Sequence, residues 1–321
     1  MDNRGRDQEN PRAGGLEPLG NILGRRLRPP GGPSPSLEAG QERPNQKIET
    51  GTCVCQTCGK NFQGEVVTFY FMEPPREIRA NECPECREKS EADEKNAAEK
   101  ERRLRVVALR EHWLDTCGIP PVFRNTRFKD LDSGYQAKGQ NVCRRWARSF
   151  VLEDPTSSRS LVLYSDTPGV GKSVLTSCIG GQVIDEWDGD PNRTRCPVIF
   201  HSGPDLVRRI RATFDVSDGQ YHEREVDIYK QLARVRLLML DDVGKEQPRS
   251  YRFTQEMYWY IIDARVKAGL PVVINSRRPL TGEDSLEELM GVDTVDRLYG
   301  MTGGGVIELT GPSYRKLKRI P

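Results

Sequence analysis

The chain has 321 residues, enough for one well-buried domain of about 200 residues and a smaller second one. Its 49 basic and 47 acidic residues nearly cancel, so any nucleic-acid binding must come from a local patch of charge. No apolar run approaches the roughly 18 residues of a membrane span, and the polar N-terminal end has no signal-peptide core. These features exclude a membrane protein, and we expect a cytoplasmic one.

The first third of the chain divides into three segments of different composition. Residues 1–50 mix Arg, Gly and Pro without apolar periodicity, which predicts a disordered tail. Residues 51–87 carry paired cysteines around a β-like stretch and predict a small metal-dependent module. Residues 88–117 are charged and rich in helix formers, which is typical of a solvated helical linker.

Four of the nine cysteines form two Cys-x-x-Cys pairs, Cys55 with Cys58 and Cys83 with Cys86. The segment between the pairs is long enough for a hairpin that brings all four thiolates to one tetrahedral zinc ion. A module this small lacks a core that could hold it together without metal. We therefore predict a structural Zn²⁺ site. A redox-active or merely buried set of thiols remains an alternative, and Cys53 could replace Cys55 as a ligand.

From about residue 118 to 321 the sequence predicts one α/β domain. Short apolar runs alternate with helix-length amphipathic stretches, which is typical of a parallel sheet covered on both faces. The predicted strands are Leu161–Ser165, Pro197–His201, Leu237–Leu240, Val272–Asn275 and Val306–Leu309. The predicted helices lie near 172–187, 204–214, 222–234 and 252–268.

A glycine-rich loop follows the first of these strands and matches the Walker A pattern except at its first position, where Asp166 replaces glycine. The matching residues are Pro168, Gly169, Val170, Gly171, Lys172 and Ser173. Such a loop surrounds phosphate oxygens with backbone N–H groups, while its lysine neutralises the β and γ phosphates and its hydroxyl binds Mg²⁺. We predict an ATP site, with the Asp166 carboxylate facing away from the triphosphate.

Two carboxylates, Asp241 and Asp242, follow the apolar run Leu237–Leu240. This is a Walker B pattern, at the strand end where open α/β sheets place their ligands. We predict that Asp241 binds Mg²⁺ together with Ser173, and that Asp242 orients and deprotonates the attacking water. An Asp-Asp turn that merely caps a strand is the alternative.

Three further polar residues are candidates for the phosphate site. Asn275 ends the fourth predicted strand, from which its amide could contact the γ-phosphate or the attacking water. Arg297 could serve as an arginine finger, and Arg315 could contact phosphate from near the chain end. A second group of arginines, Arg208, Arg209 and Arg211, lies on one predicted helix and could face single-stranded DNA or only solvent.

Residues from about 118 to 316 resemble the DnaC/IstB group of AAA+ ATPases, which includes replicative-helicase loaders and transposition helpers. The resemblance rests on ordered blocks: Gly118-Ile119-Pro120-Pro121, the Walker A loop, Leu238 to Gly244, Asn275-Ser276, Asp296-Arg297-Leu298 and Ser313-Tyr314-Arg315. It implies an AAA+ P-loop fold with Asn275 as the sensor residue, Arg297 as a finger acting on a neighbouring subunit's ATP, and Arg315 as the second sensor. ATP sites would then lie between the subunits of an ATP-dependent homo-oligomer.

The resemblance also implies a function. It favours an ATP-hydrolysing replication accessory protein that binds a replicative helicase and helps to load it on single-stranded DNA. Asp242 stands where many AAA+ proteins have glutamate, which makes slow or switch-like turnover an expectation. Two alternatives stay open: a transposition helper whose partner is a transposase, and a zinc-ribbon adaptor for nucleic acid or protein with an inactive ATP site.

Overall fold

The computed structural model describes residues 46–71, 73–192, 195–214, 223–246 and 251–317, in two compact units that divide after Ala92. The predicted disordered tail lies outside the described residues, except for 46–50. Among the described residues, no helix has the length and apolar character that crossing a membrane requires.

The first unit contains a three-stranded antiparallel sheet in the order β1-β2-β3. Its elements are β1 (Gln46–Val54), β2 (Asn61–Phe69), β3 (Arg76–Arg79) and the start of α1 (Pro84–Thr116). β1 begins inside the stretch that the sequence assigns to the tail, because its pairing with β2 starts at Gln46 opposite Phe69. That pairing uses backbone groups and leaves most β1 side chains exposed, so no apolar pattern predicts it.

The second unit contains a five-stranded parallel sheet, as the sequence predicts, and its strand order is β5-β6-β7-β4-β8. Its strands are β4 (Leu161–Tyr164), β5 (Val198–Ser202), β6 (Leu237–Val243), β7 (Val272–Ser276) and β8 (Val306–Glu308). Its helices are α2 (Pro121–Arg124), α3 (Ala137–Ser149), α4 (Lys172–Glu186), α5 (Gly203–Ala212), α6 (Glu225–Arg234), α7 (Tyr251–Ala268), α8 (Leu286–Met290), α9 (Val292–Thr302) and α10 (Tyr314–Leu317).

Helices cover both faces of this sheet, so alternate residues of each strand enter two separate cores. Leu161 and Leu163 of β4 pack in one core with α3 and α4, whereas Val162 packs in the other with α5 to α9. Burial on both faces explains why the strands read as short apolar runs. The carboxyl ends of β4, β6 and β7 lie side by side, and the predicted site residues follow them.

Arg265 on α7 is fully buried and binds backbone carbonyl groups. Its Nη1 atom donates to the carbonyls of Leu232 (2.7 Å) and Val235 (2.9 Å), and Nη2 donates to those of Pro271 and Arg236. Burial lowers the pKa of the guanidinium to about 9. The side chain thus joins the end of α6 to the residues that lead into β6 and β7.

Replacing Arg265 by Met should destabilise the second unit, because the carbonyls that it serves lose their donors. We expect the Arg265→Met variant to lose about 3 kcal/mol of unfolding free energy, measured by urea denaturation. Arg252→Met is the matched control, since Arg252 lies on the same helix, is exposed and pairs with Glu256 at 2.9 Å. Equal stability of the two variants would contradict this role.

Candidate functional site

The glycine-rich loop lies between β4 and α4, and its glycines have backbone conformations that other residues rarely adopt. Gly169 has φ 79° and Gly171 has φ 98°. A Cβ atom on Gly169 would stand 2.3 Å from Oγ of Ser313, so a side chain has no room there. The Gly169 carbonyl accepts a hydrogen bond from the backbone N–H of Tyr314 (3.0 Å), which packs the C-terminal segment against the loop.

Lys172 is held inside this loop. Its Nζ atom donates to the carbonyls of Ser165 (2.8 Å) and Thr167 (3.3 Å). The side chain is buried, and burial lowers the pKa of the ammonium to about 8. Asp166 is exposed, its carboxylate accepts a hydrogen bond from the Thr167 hydroxyl (3.0 Å), and it is not among the residues that line the cavity.

The two carboxylates of β6 point in different directions. The pairing of β6 with β7 is irregular between Leu240 and Val243, and Asp242 has φ 53° within this bulge. Asp241 is buried, and burial raises the pKa of its carboxyl, which the nearby Ser173 side chain partly offsets. Asp242 is half-buried, lines the cavity and pairs with Nζ of Lys245 at 2.6 Å. The fold therefore brings the predicted magnesium pair together and turns Asp242 toward the cavity.

Asn275 lies behind the carboxylates and is inaccessible to solvent. Its Oδ1 atom accepts from the backbone N–H of Asp242 (2.9 Å), while Nδ2 donates to Oγ1 of Thr176 (2.8 Å) and to Asp241. The sequence predicts that this amide contacts phosphate or water. The structure differs from that prediction, because both polar atoms of the side chain bind protein groups.

A cavity of about 370 Å³ opens in front of the loop. Its apolar and aromatic lining includes Phe123, Leu131 and the ring pair of Tyr135 and Tyr314, whose centroids are 4.8 Å apart. Its charged lining residues are Asp130, Asp132, Lys172, Asp242, Lys245, Arg277 and Arg315. This volume is within the range of small-molecule sites, and aromatic and cationic side chains in one lining suit a nucleoside and its phosphates.

Sequence reasoning missed several residues of this cavity. Tyr135, Lys245 and Arg277 line it, although none of them belongs to a phosphate-binding motif. Lys245 had a usable signal, because it follows the Walker B carboxylates by three positions. Arg277 stands two positions beyond Asn275, where the strand end already marked a site.

The two arginines predicted from the later motifs occupy different places. Arg315 lines the cavity. Arg297 does not, since its guanidinium forms an ion pair with the buried carboxylate of Asp263 and lies 5.9 Å from the centroid of the Trp259 ring. Asp263 also pairs with Nζ of Lys267 at 2.7 Å. Within one chain, Arg297 thus joins α9 to α7.

The basic residues of α5 also have intramolecular partners. Arg208 forms an ion pair with Asp205, and Nε of Arg209 donates to Glu223 at 2.9 Å. The Arg211 guanidinium lies 5.2 Å from the centroid of the Phe253 ring. Contact with single-stranded DNA at this helix therefore stays a prediction.

In the first unit, Cys55, Cys58, Cys83 and Cys86 form a cluster in which all four sulfur atoms lie within 4.8 Å of one another. The sulfurs of Cys58 and Cys83 are 3.8 Å apart, which matches the edge of a tetrahedron whose corners lie about 2.3 Å from a zinc ion. A backbone N–H of Cys83 and others nearby lower the pKa of Cys55 to about 6. The donors present fit zinc.

The Cys53 thiol lies outside this cluster. It is buried on β1 and donates to the Gly51 carbonyl at 3.6 Å. Cys55, and not Cys53, is therefore the member of the group.

No protein-family model matches the chain. A replicative helicase loader DnaC of Buchnera aphidicola subsp. Baizongia pistaciae is 26% identical over 207 residues, which cover 63% of this chain and 74% of that protein. The DnaC of the subspecies Schizaphis graminum is 23% identical over 187 residues, 58% of this chain and 68% of that protein. The chain resembles DnaC-type helicase loaders of the AAA+ class.

Solved structures of replication proteins are also similar. A DnaC helicase loader covers 60% of this chain with all of its own length, at 18% identity and a TM-score of 0.46. A DnaI structure matches 61% of this chain and 94% of its own, at 19% identity and a TM-score of 0.44.

Removing one thiol should abolish metal binding by the cysteine cluster. We expect zinc in the wild-type chain after dialysis against a weak chelator, and its loss in Cys83→Ser, measured by elemental analysis. Cys53→Ser is the matched control, because it removes a buried thiol of the same sheet that is not in the cluster. Undiminished zinc in Cys83→Ser would defeat the assignment.

Proposed function

We propose that the chain is an ATPase that binds a replicative helicase and helps to load it on single-stranded DNA. The observation that carries this proposal is the sequence similarity to DnaC loaders over 207 residues. The geometry supports the ATPase part, because a glycine-rich loop, the Asp242 carboxylate and three further cations line one cavity. A transposition helper would share that geometry. The similarity to DnaC favours a helicase over a transposase as the partner.

ATP enters the cavity with its base between the side chains of Phe123 and Tyr135, and its phosphates on the loop. Backbone N–H groups from Gly169 to Ser173 bind the phosphate oxygens, and the Lys172 ammonium binds the β and γ phosphates. Ser173 and Asp241 would hold Mg²⁺, because a hydroxyl and a carboxylate supply the oxygen ligands that this ion prefers. When bound, that ion neutralises charge on the phosphate oxygens.

In hydrolysis, a water molecule attacks the γ-phosphorus while Asp242 accepts its proton, and the bond to the bridging oxygen breaks so that ADP leaves. The left-handed backbone of Asp242 turns its carboxylate into the cavity, and Lys245 keeps that carboxylate paired. Asn275 acts as a positioning residue, since its amide fixes the backbone of Asp242 and the side chain of Asp241. Asp242 is shorter than glutamate, which favours slow turnover.

The remaining parts of the proposal concern partners. Arg297 acts as a finger on the ATP of a neighbouring copy, and Arg315 contacts phosphate from its own chain. The four clustered cysteines bind structural zinc, and the zinc module with its helix serves as the partner-binding arm. The domain limits that the sequence predicts, 51–87 for the module and 118–321 for the ATPase, belong to the same proposal.

Loading can be tested on circular single-stranded DNA, which offers a helicase no free end to thread. We expect the full chain with ATP to increase the amount of the host's replicative helicase bound to the circle, and to hydrolyse ATP in the same reaction. Lys172→Ala should lower that turnover by at least about 100-fold, because the phosphates lose their ammonium partner. Equal helicase on the circle with and without the chain would contradict the loader role.

The shared ATP site can be tested by mixing two inactive variants. Asp242→Asn loses the base, and Arg297→Ala should lower turnover on the order of 1,000-fold by losing the finger. In a random mixture we expect about a quarter of the wild-type rate, because half of the sites keep the base and half of their neighbours keep the finger. A mixture as inactive as its components would show that Arg297 does not act across subunits.

A further inference from the structure

Arg277 is an exposed arginine that lines the cavity. It directly follows Ser276, the last residue of β7, which lies between the strands that carry the glycine-rich loop and the carboxylates. Its Nε atom donates to the backbone carbonyl of Asp166 at 3.4 Å. Within the described part of the chain it has no ion pair, and its terminal nitrogens have no partner.

The contacts of two cations place the Arg277 guanidinium beside the phosphate position. Lys172 binds the carbonyls of Ser165 and Thr167, and Arg277 binds the carbonyl of the residue between them. Burial chiefly lowers the pKa of Lys172, and the positive charge of Arg277 lowers it further. The two side chains therefore share one end of the loop, where a Walker lysine meets the β and γ phosphates.

The two other candidate arginines, Arg297 and Arg315, lie in different places from Arg277. Arg297 is committed to Asp263 within its own chain and lies outside the cavity. Arg315 reaches the cavity from the C-terminal segment that packs on Gly169. Arg277 alone of these three extends from the same edge of the sheet as Asp242, the residue proposed to activate water.

We propose that Arg277 binds the γ-phosphate of ATP in its own chain and so makes the site prefer ATP to ADP. The planar guanidinium can donate two parallel hydrogen bonds to phosphate oxygens, and its free terminal nitrogens supply them. ADP lacks the group that these donors bind. The inference rests on the proposed ATP-binding function and adds the residue that distinguishes the triphosphate.

A purely structural role makes a different prediction. If Arg277 only supports the loop through the Asp166 carbonyl, its removal would weaken the binding of ATP and ADP alike, because the loop binds the β-phosphate of both nucleotides. Binding of the two nucleotides, measured separately, therefore distinguishes γ-phosphate recognition from support of the loop.

The experiment measures binding of ADP and of a non-hydrolysable ATP analogue, each with Mg²⁺, to the full chain by titration calorimetry. We expect Arg277→Gln to weaken binding of the analogue about 10- to 100-fold, because charge-assisted hydrogen bonds to phosphate are lost. The affinity for ADP should change less than about 3-fold. Arg277→Lys should recover part of the loss, since it restores the charge without the paired donors. Arg252→Gln is the control, an exposed arginine remote from the cavity.

Each remaining outcome is decisive. A wild-type chain that binds neither nucleotide overturns the proposed function together with the inference. A wild-type chain that binds both, with an ATP-to-ADP ratio unchanged in Arg277→Gln, overturns the inference alone and leaves the ATPase proposal standing. Equal weakening of ATP-analogue and ADP binding in Arg277→Gln also overturns the inference alone, because Arg277 would then only support the loop.

Discussion

The buried amide of Asn275 holds the phosphate site together. Through three hydrogen bonds it joins the Asp242 backbone, the Asp241 carboxylate and the Thr176 hydroxyl, which belong to β6 and α4. Thr176 in turn donates to the Lys172 carbonyl at 3.1 Å, so the amide also reaches the first residue of α4. In a region inaccessible to water these bonds have no substitute partners, and the loop and the carboxylates therefore keep one relative position.

That fixed framework carries an excess of positive charge. Lys172, Lys245, Arg277 and Arg315 line the cavity, against the carboxylates of Asp130, Asp132 and Asp242. Burial chiefly lowers the pKa of Lys172, and the positive charges of Arg277 and Lys245 lower it further. A triphosphate would relieve this repulsion, whereas a neutral ligand would not. The charge distribution thus favours an anionic ligand.

The sequence predicts this fold and site where the information is local. The strands of the parallel sheet are apolar runs because helices cover both faces of the sheet. The Walker A and Walker B motifs are each contiguous in the sequence. α3 is absent from the predicted helices, although Val142, Cys143, Trp146 and Ala147 recur on it at helical spacing. The position of Arg277 in the cavity depends on which strands become neighbours. The pairing of Arg297 with Asp263, 34 residues apart, depends on which helices do. No pattern of residue types along the chain encodes those choices.

The pairing of Arg297 also bears on how the proposed assembly would respond to ATP. A finger that reaches a neighbour's phosphate must leave the Asp263 carboxylate, which keeps Lys267 as its remaining partner. The ion pair between α9 and α7 would then be replaced by a contact between subunits. This replacement requires a γ-phosphate in the neighbouring subunit. ATP in one chain would in this way alter the helix packing of the next. Because a ligand shifts an equilibrium only through contacts that differ between two states, this exchange is a physical basis for ATP-dependent switching.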